Sequence, residues 1–437
     1  MIVRPFRAYR FDASVVGNIG DCVAPPYDVI DAAMQRRLYD RSPYNVVRLS
    51  RGMATDKDTE RDNPYTRAGR FMQDLIAKGA VKLDATDCVY SYVQDFEIAG
   101  RRHRRTGLVA LGMLEDFGKA VQPHEKTLDA PKADRMRLLR VMKTYLGQVF
   151  MLYDDPEKLD EAIAARAAAT PALMDFTDDD AVRHRLFAVT DAADIARVVE
   201  MLAARSVVIA DGHHRYETAL NYYKETRNPA ARYRMMTFVN MRNEGLIILP
   251  THRLVRGLTD FDAARLVREL KKDFDVARCR AVRSGGASAA IATLREETAA
   301  AFSKGLCSFG LYVHGAHYTI VLKDPAAMNR FQDGLSTPSR GLDVNVLHKL
   351  ILEPVLGIGD TQLAGQTNLE YIKDLGHGID DAIAQIDAGG AQALFLMNPT
   401  RIEQVKAVAA AGEKMPQKST FFYPKLWSGL LFHRLES

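Results

Sequence analysis

Short apolar runs alternate with polar turns marked by glycine and proline along most of the chain, and their period switches between that of a strand and that of a helix. "CVAPPYDVI" sets a diproline loop ahead of a helix expected over 31–40, and "SPYNVVRLS" then reads as a strand. Residues 64–80 have helical apolar spacing, whereas 88–117 reads as two strands joined by a basic turn around Gly100 that carries "RRHRR". A proline-led loop through "VQPHEKTLDA" precedes a basic amphipathic helix near 131–146, and "VFMLYDD" follows as a strand. Helices are next expected at 158–169, 191–203 and 214–226, with strands at "LFAVT", "SVVIA" (206–210), "MMTFVNM" and "GLIILPTHRLV".

After a soft boundary near 258, helices at 261–273 and 288–303 flank "RSGGAS". A hairpin at "CSFGLYVHGAHYTIVLKD", a helix at "VNVLHKLILEPVL", a strand at "ALFLMNP" and a helix at 401–411 lead to a polar loop and aromatic, strand-like terminal residues. This alternation predicts an α/β (α+β) protein with an N-terminal region over 1–258 and a C-terminal α/β region over 259–437. No repeat period or low-complexity tract interrupts it.

Composition narrows the class. A length of 437 residues accommodates two or three domains, and 26% charged with 47% hydrophobic residues are ordinary globular values. A net charge of +4 is small for this length, so charge alone gives no reason to expect nucleic acid. Cys22, Cys88, Cys279 and Cys307 are scattered without a CxxC pair, which points away from a disulfide framework or zinc knuckle and towards a reducing cytoplasm. "MIVRPFRAYRFD" lacks an apolar signal core and no run of 18 uncharged apolar residues occurs, so a soluble, unexported protein is expected.

The chemistry concentrates in a few places. In "ADGHHRYETAL" (210–220) a buried strand ends and a helix begins. Gly212 lets the backbone turn closely, and the amides of the helix start make a ready anion site. His213, His214 and Arg215 add donors, and the Arg215 fork can grip two phosphate oxygens. Asp211 offers a carboxylate suited to Mg²⁺ or to orienting a histidine. Helix capping by Asp211, with one histidine packed inside, stays open. Zinc is disfavoured because the H-x-x-x-H spacing is absent.

"PHEKT" holds His124, Glu125 and Lys126 in a proline-led loop, where a carboxylate beside a histidine could take a proton from a substrate hydroxyl. A solvated turn explains it as well. "MPQKSTFFYPKL" offers Lys418, Ser419 and Thr420 in a loop suited to phosphate, without the GxxxxGK of a P-loop, while Tyr423, Lys425 and Trp427 read as packed or solvated. Tyr27 and Asp28 follow the stiff diproline, and His252 with Arg253 ends a buried strand; rigid polar loops of this kind often line pockets, and capping and turn formation explain them equally well.

Taken in order, "PPYDVI", "HEKT", "ADGHHRYETAL", "PTHRLV" and "MPQKSTFFYPKL" resemble the domain-of-unknown-function family numbered 1015, over nearly the whole chain. "VIADGHHR" also resembles the phosphate-binding signature of the ParB/sulfiredoxin superfamily, and within it that of the free serine kinases. The resemblance implies a ParB/sulfiredoxin-like mixed-sheet core with a large N-terminal extension and an insertion. It implies transfer of a phosphoryl group from pyrophosphate, or from ADP or ATP, to free L-serine, with Mg²⁺ on the donor. Glu125 would be the base, next to His124, and Asp211 would assist catalysis or the metal. Gly212, His213, His214, Arg215, Lys126, Lys418, Ser419 and Thr420 would hold phosphate. The chain departs from the kinases by a long segment ahead of "PHEKT" and by Pro-Gln-Lys-Ser-Thr where the kinase loop has proline directly before lysine. A ParB-like protein that binds nucleotide or DNA without turnover, and a related phosphohydrolase, are the rival expectations; a membrane partner is not expected.

Overall fold

The computed structural model describes residues 1–125, 127, 129–279, 286–332, 334–365 and 367–435. The chain divides into two compact units, Met1–Ile247 with Phe422–Ser437, and Ile248–Phe421. The division thus falls ahead of the boundary expected near 258, and the last residues return to the first unit.

Among the described residues the first unit carries a nine-stranded mixed sheet. Its order is Val121–Pro123, Val207–Asp211, Val149–Tyr153, Tyr233–Asn240, Arg101–Met113, Val89–Ile98, Arg183–Val189 and Met174–Thr177, with Val3–Arg4 also paired to Arg101–Met113. Val207–Asp211 runs parallel to Val121–Pro123 and antiparallel to Val149–Tyr153. Every residue of Val149–Tyr153 is buried, as are Val207, Val208, Ile209 and Ala210, which is why these segments read as unbroken apolar runs.

Three helices of this unit pack in series: Pro64–Ala77 on Asp129–Met142, and Asp129–Met142 on His213–Thr226. The first begins where the sequence marks it, with Asn63 and Thr66 in a reciprocal capping box and Pro64 in the first turn. Ala68, Met72 and Leu75 form its buried stripe.

Three local expectations are corrected. "SPYNVVRLS" forms the short helix Val47–Ser50, not a strand. Asn45 Oδ1 accepts from the Val47 amide at 2.9 Å, while its Nδ2 donates to the Asp21 and Val23 carbonyls at 2.7 and 3.0 Å, so a side chain satisfies the backbone where a sheet neighbour would have been needed. "RRHRR" is not a turn but the start of the long strand Arg101–Met113. The turn is Ala99–Gly100, both at positive φ, and strand alternation sends Arg104 outward to Asp95 at 2.6 Å and Arg105 into the interior. The helix expected to run to 146 stops at Met142, because Lys143 takes φ 46° and Thr144–Tyr145 then pairs with His433–Arg434.

The second unit is built on a six-stranded antiparallel sheet in the order Phe274–Arg278, Ala316–Leu322, Ser308–Val313, Ala393–Leu396, Thr251–Val255 and Leu369–Lys373. Leu254, Leu294, Tyr312, Ile383, Leu394 and Leu396 belong to its core. Among the described residues no helix is long and apolar enough to cross a membrane.

Candidate functional site

The strand Val207–Asp211 meets its antiparallel neighbour through a register shift between Ile209 and Asp211. Gly212 follows at φ 93° and ψ 28° and leads directly into the helix His213–Thr226. A side chain there would be strained by that φ, and a Cβ would lie 2.9–3.0 Å from the Arg215 guanidinium. Glycine is therefore what lets Arg215 fold back over the turn. Asp211 does not cap this helix, whose N-cap residue is Gly212 with no side-chain cap bond. Instead Asp211 Oδ2 accepts from Lys425 Nζ at 3.1 Å. Burial opposes ionisation of Asp211, but Lys425 and then Arg215 outweigh it and hold the carboxyl well below the usual carboxylate range.

Parallel pairing of Val121–Pro123 with Val207–Ile209 delivers the PHEKT segment to this same strand end. The His124 amide donates to His213 Nε2 at 3.3 Å, and the two rings meet edge to face at 4.8 Å. The Ile209 carbonyl accepts from His124 Nδ1. Burial pushes His124 down to about 4, against the pull of the Ile209 carbonyl and Asp211. His213, 7% exposed, thus acts as an acceptor that ties the two motifs together.

His214 is half-buried. Burial lowers its pKa first, and the charges of Glu125, Glu217 and Asp28 act against that, so these three acids are its electrostatic neighbours. Glu125 itself is half-buried. Thr127 Oγ1 donates to Glu217 Oε2 at 2.9 Å, and Lys132 Nζ lies 3.3 Å from the same oxygen, which fixes the far side of the PHEKT loop to the helix His213–Thr226. Lys126 lies outside the described residues.

Tyr27 and Asp28 are brought to this turn as well. The Arg135 guanidinium sits 4.1 Å over the Tyr27 ring. Burial, then Asp28, raises Tyr27 to about 12 against the pull of Arg135 and Arg215. Arg215 Nη1 donates to the Gln148 carbonyl at 2.6 Å.

The remaining expected residues belong to the second unit. His252 is 2% exposed and its Nδ1 accepts from the Met397 amide at 3.0 Å. Arg253, 1% exposed, donates to the Lys418 carbonyl at 3.2 Å. Lys418 is exposed at φ 57°, Ser419 Oγ donates to the Pro416 carbonyl at 2.6 Å, and Thr400 Oγ1 donates to the Ser419 carbonyl at 2.8 Å. Thr420 is buried beside them.

The family described as "Protein of unknown function (DUF1015)" matches residues 3–345. The chain belongs to the DUF1015 family. No curated protein matches the DUF1015 chain. Among solved structures it is similar to a free serine kinase in complex with AMP, at 13% identity and a TM-score of 0.34, over 70% of this chain and 87% of that one. A conserved hypothetical protein from Pyrococcus furiosus is similar at 13% identity and a TM-score of 0.32, over 71% and 91%. SbnI with C-terminal truncation from Staphylococcus aureus is similar at 8% identity and a TM-score of 0.33, over 72% and 84%.

Two residues around Asp211, Lys425 and Arg105, carry no mark of a site in the sequence. Lys425 read as packing or solvated, yet it is the ion-pair partner of Asp211 at 3.1 Å. Arg105 was hidden in the basic run. Its buried guanidinium donates to Gln94 Oε1 and to the Tyr423 carbonyl at 3.1 Å each, and burial lowers it to about 10 against the pull of Tyr92 and then Asp211. Strand alternation was the available signal for Arg105; nothing local marks Lys425. Among the described residues no three His, Cys, Asp or Glu side chains gather as a metal site. Asp211, already paired to Lys425 and facing Arg215, does not fit the role of anchoring a resident metal.

Proposed function

We propose that this protein is a phosphotransferase that moves a phosphoryl group from pyrophosphate, or from ADP or ATP, to the hydroxyl of free L-serine, giving O-phosphoserine. The observation that carries the reading is the hydrogen bond from the His124 amide to His213 Nε2, which couples the PHEKT loop to the DGHHR turn. It sets a carboxylate, Glu125, in the electrostatic neighbourhood of His214 at the start of a helix. The serine acceptor is taken from the resemblance of these two motifs to the free serine kinases.

Phosphoryl transfer asks little covalent chemistry of a protein and much positioning and charge stabilisation. In this reading Glu125 accepts the proton of the serine hydroxyl as that oxygen attacks phosphorus and the bond to the donor's leaving phosphate breaks. The helix-start amides, His214 and Arg215 hold the transferring group, and His213 positions the PHEKT loop while adding to the phosphate site. Lys425, held by Asp211, keeps an ammonium beside them. Mg²⁺ arrives as part of the donor complex. Tyr27 and Asp28 line the acceptor side.

The test supplies L-serine with magnesium pyrophosphate, MgADP or MgATP and follows O-phosphoserine by phosphorus NMR. Product with one donor is the expected result. Phosphate release that needs no serine would make the protein a phosphohydrolase, and no turnover with any donor would overturn the reading.

A further inference from the structure

Behind the first turns of the helix His213–Thr226 lies a cavity of about 70 Å³ within the first unit. Arg135, Arg215 and Arg234 line it, together with the apolar side chains of Leu138 and Met142, and no carboxylate does so among the described residues. Four buried polar atoms of lining residues have no hydrogen-bond partner among the described residues: Ser50 Oγ, Tyr145 Oη, Thr218 Oγ1 and Arg234 Nε. Their side chains belong to residues only 4%, 3%, 3% and 4% exposed.

Each such atom costs about 1–3 kcal/mol when left unmet, so native proteins seldom gather several around one space unless something there satisfies them. Arg234 adds a charge argument. Its guanidinium donates to the Gly147 carbonyl at 2.8 Å and stacks 3.7 Å from the Tyr145 ring, and among the described residues no acid pairs with it. A buried cation without a counter-ion calls for an anion. Burial pushes it down to about 9, with Tyr145 pulling it back and Arg215 adding to the repulsion.

We propose that this cavity binds the carboxylate of a small organic acid, its oxygens meeting Arg234 and Tyr145 and its carbon stem lying against Leu138 and Met142. The apolar wall favours a carboxylic acid over inorganic phosphate, which has no carbon to set there. A volume of about 70 Å³ exceeds the roughly 10–15 Å³ that a single water requires, which leaves room for a carboxylate with a short stem. Arg215 belongs both to this cavity and to the DGHHR turn, so the acid is the phosphoryl acceptor; that last identification rests on the phosphotransferase reading, whereas the carboxylate site does not.

Calorimetric titration of the full chain with L-serine, ethanolamine and inorganic phosphate tests it, alongside Tyr145→Phe and Arg234→Gln. Tyr145→Phe removes a single unpartnered hydroxyl and keeps the ring under Arg234, so it is the variant to rely on if Arg234→Gln fails to fold. The expected result is L-serine binding, none of ethanolamine, and about tenfold weaker L-serine binding in Tyr145→Phe, as for the loss of one hydrogen bond to a charged group. Equal binding of ethanolamine, unchanged L-serine binding in Tyr145→Phe, or phosphate binding that Tyr145→Phe weakens would each overturn the carboxylate site. Serine binding sensitive to Tyr145→Phe but without phosphoserine formation keeps the cavity and overturns the kinase. Phosphoserine formation with an unchanged serine KM in Tyr145→Phe does the reverse.

Discussion

In the DGHHR turn of the first unit, polar side chains are fixed by partners remote in sequence: Asp211 by Lys425, His213 by His124, Arg215 by Gln148. In the QKST loop of the second unit three ties end on the loop's own backbone carbonyls. Ser419 closes on the Pro416 carbonyl, Thr400 holds the Ser419 carbonyl, and Arg253 is the distant contributor through the Lys418 carbonyl. Both segments look like anion-binding loops in the sequence. The difference teaches that the first is wired into a buried electrostatic network, so a change there disturbs stability and titration together, while a change at exposed Lys418 stays local.

The largest expected effect tests whether the wired turn is also the reacting one. Glu125→Gln should lower phosphoserine formation about 1000-fold in kcat, within the range for loss of a general base, with the fold and L-serine binding intact. A loss below tenfold would remove Glu125 from that role.

Titration of His124 comes next. The imidazole titrates near 6.5 when unfolded and at about 4 in the fold. Between those values the unfolded chain binds the extra proton, so stability is lost as pH falls from about 6.5 to about 4, by on the order of 3 kcal/mol from this group. Urea unfolding at pH 7, 5.5 and 4.5, compared with His124→Asn, isolates the share, because His433 in the same unit is also held at about 4. Parallel pH curves for the two proteins would contradict it.

Lys425→Met leaves a mostly buried Asp211 without its ammonium and should cost about 2–3 kcal/mol, read as a lowered Tm. Asp211→Asn in the same chain should restore part of that loss, and additive losses would show that the pair is not coupled. The smallest effects contrast the two backbones. Gly212→Ala, at φ 93° and against the Arg215 guanidinium, should destabilise by about 1 kcal/mol. Lys418→Gly, at φ 57° in an exposed position, should stay within about 0.5 kcal/mol of the parent. Equal costs at the two positions would erase the contrast between turn and loop.

Much of this was legible beforehand. The buried run "VVIA" followed by Asp211 and Gly212 marks a strand end and helix start by period alone, and the structure has Val207–Asp211 leading into His213–Thr226. The PHEKT and DGHHR motifs, Tyr27 and Asp28 were singled out and are neighbours within one unit. Lys425 was not, because an ammonium that pairs across 214 positions leaves no local pattern. "SPYNVVRLS" misled for a related reason: β-branched residues suggest a strand, but the Asn45 side chain supplies the bonds that a neighbouring strand would have made.

What the amino-acid sequence determined by itself is the set of elements and the residue types at their ends. Periodicity, glycine at the turn and the capping box at Asn63 act over a few residues, where backbone sterics and local hydrogen bonds decide. What the tertiary structure decided is the state of those residues. Asp211 stays ionised and His124 stays neutral because burial and remote charges set the free energy of a proton. Those are properties of three-dimensional surroundings, and no spacing along the chain encodes them.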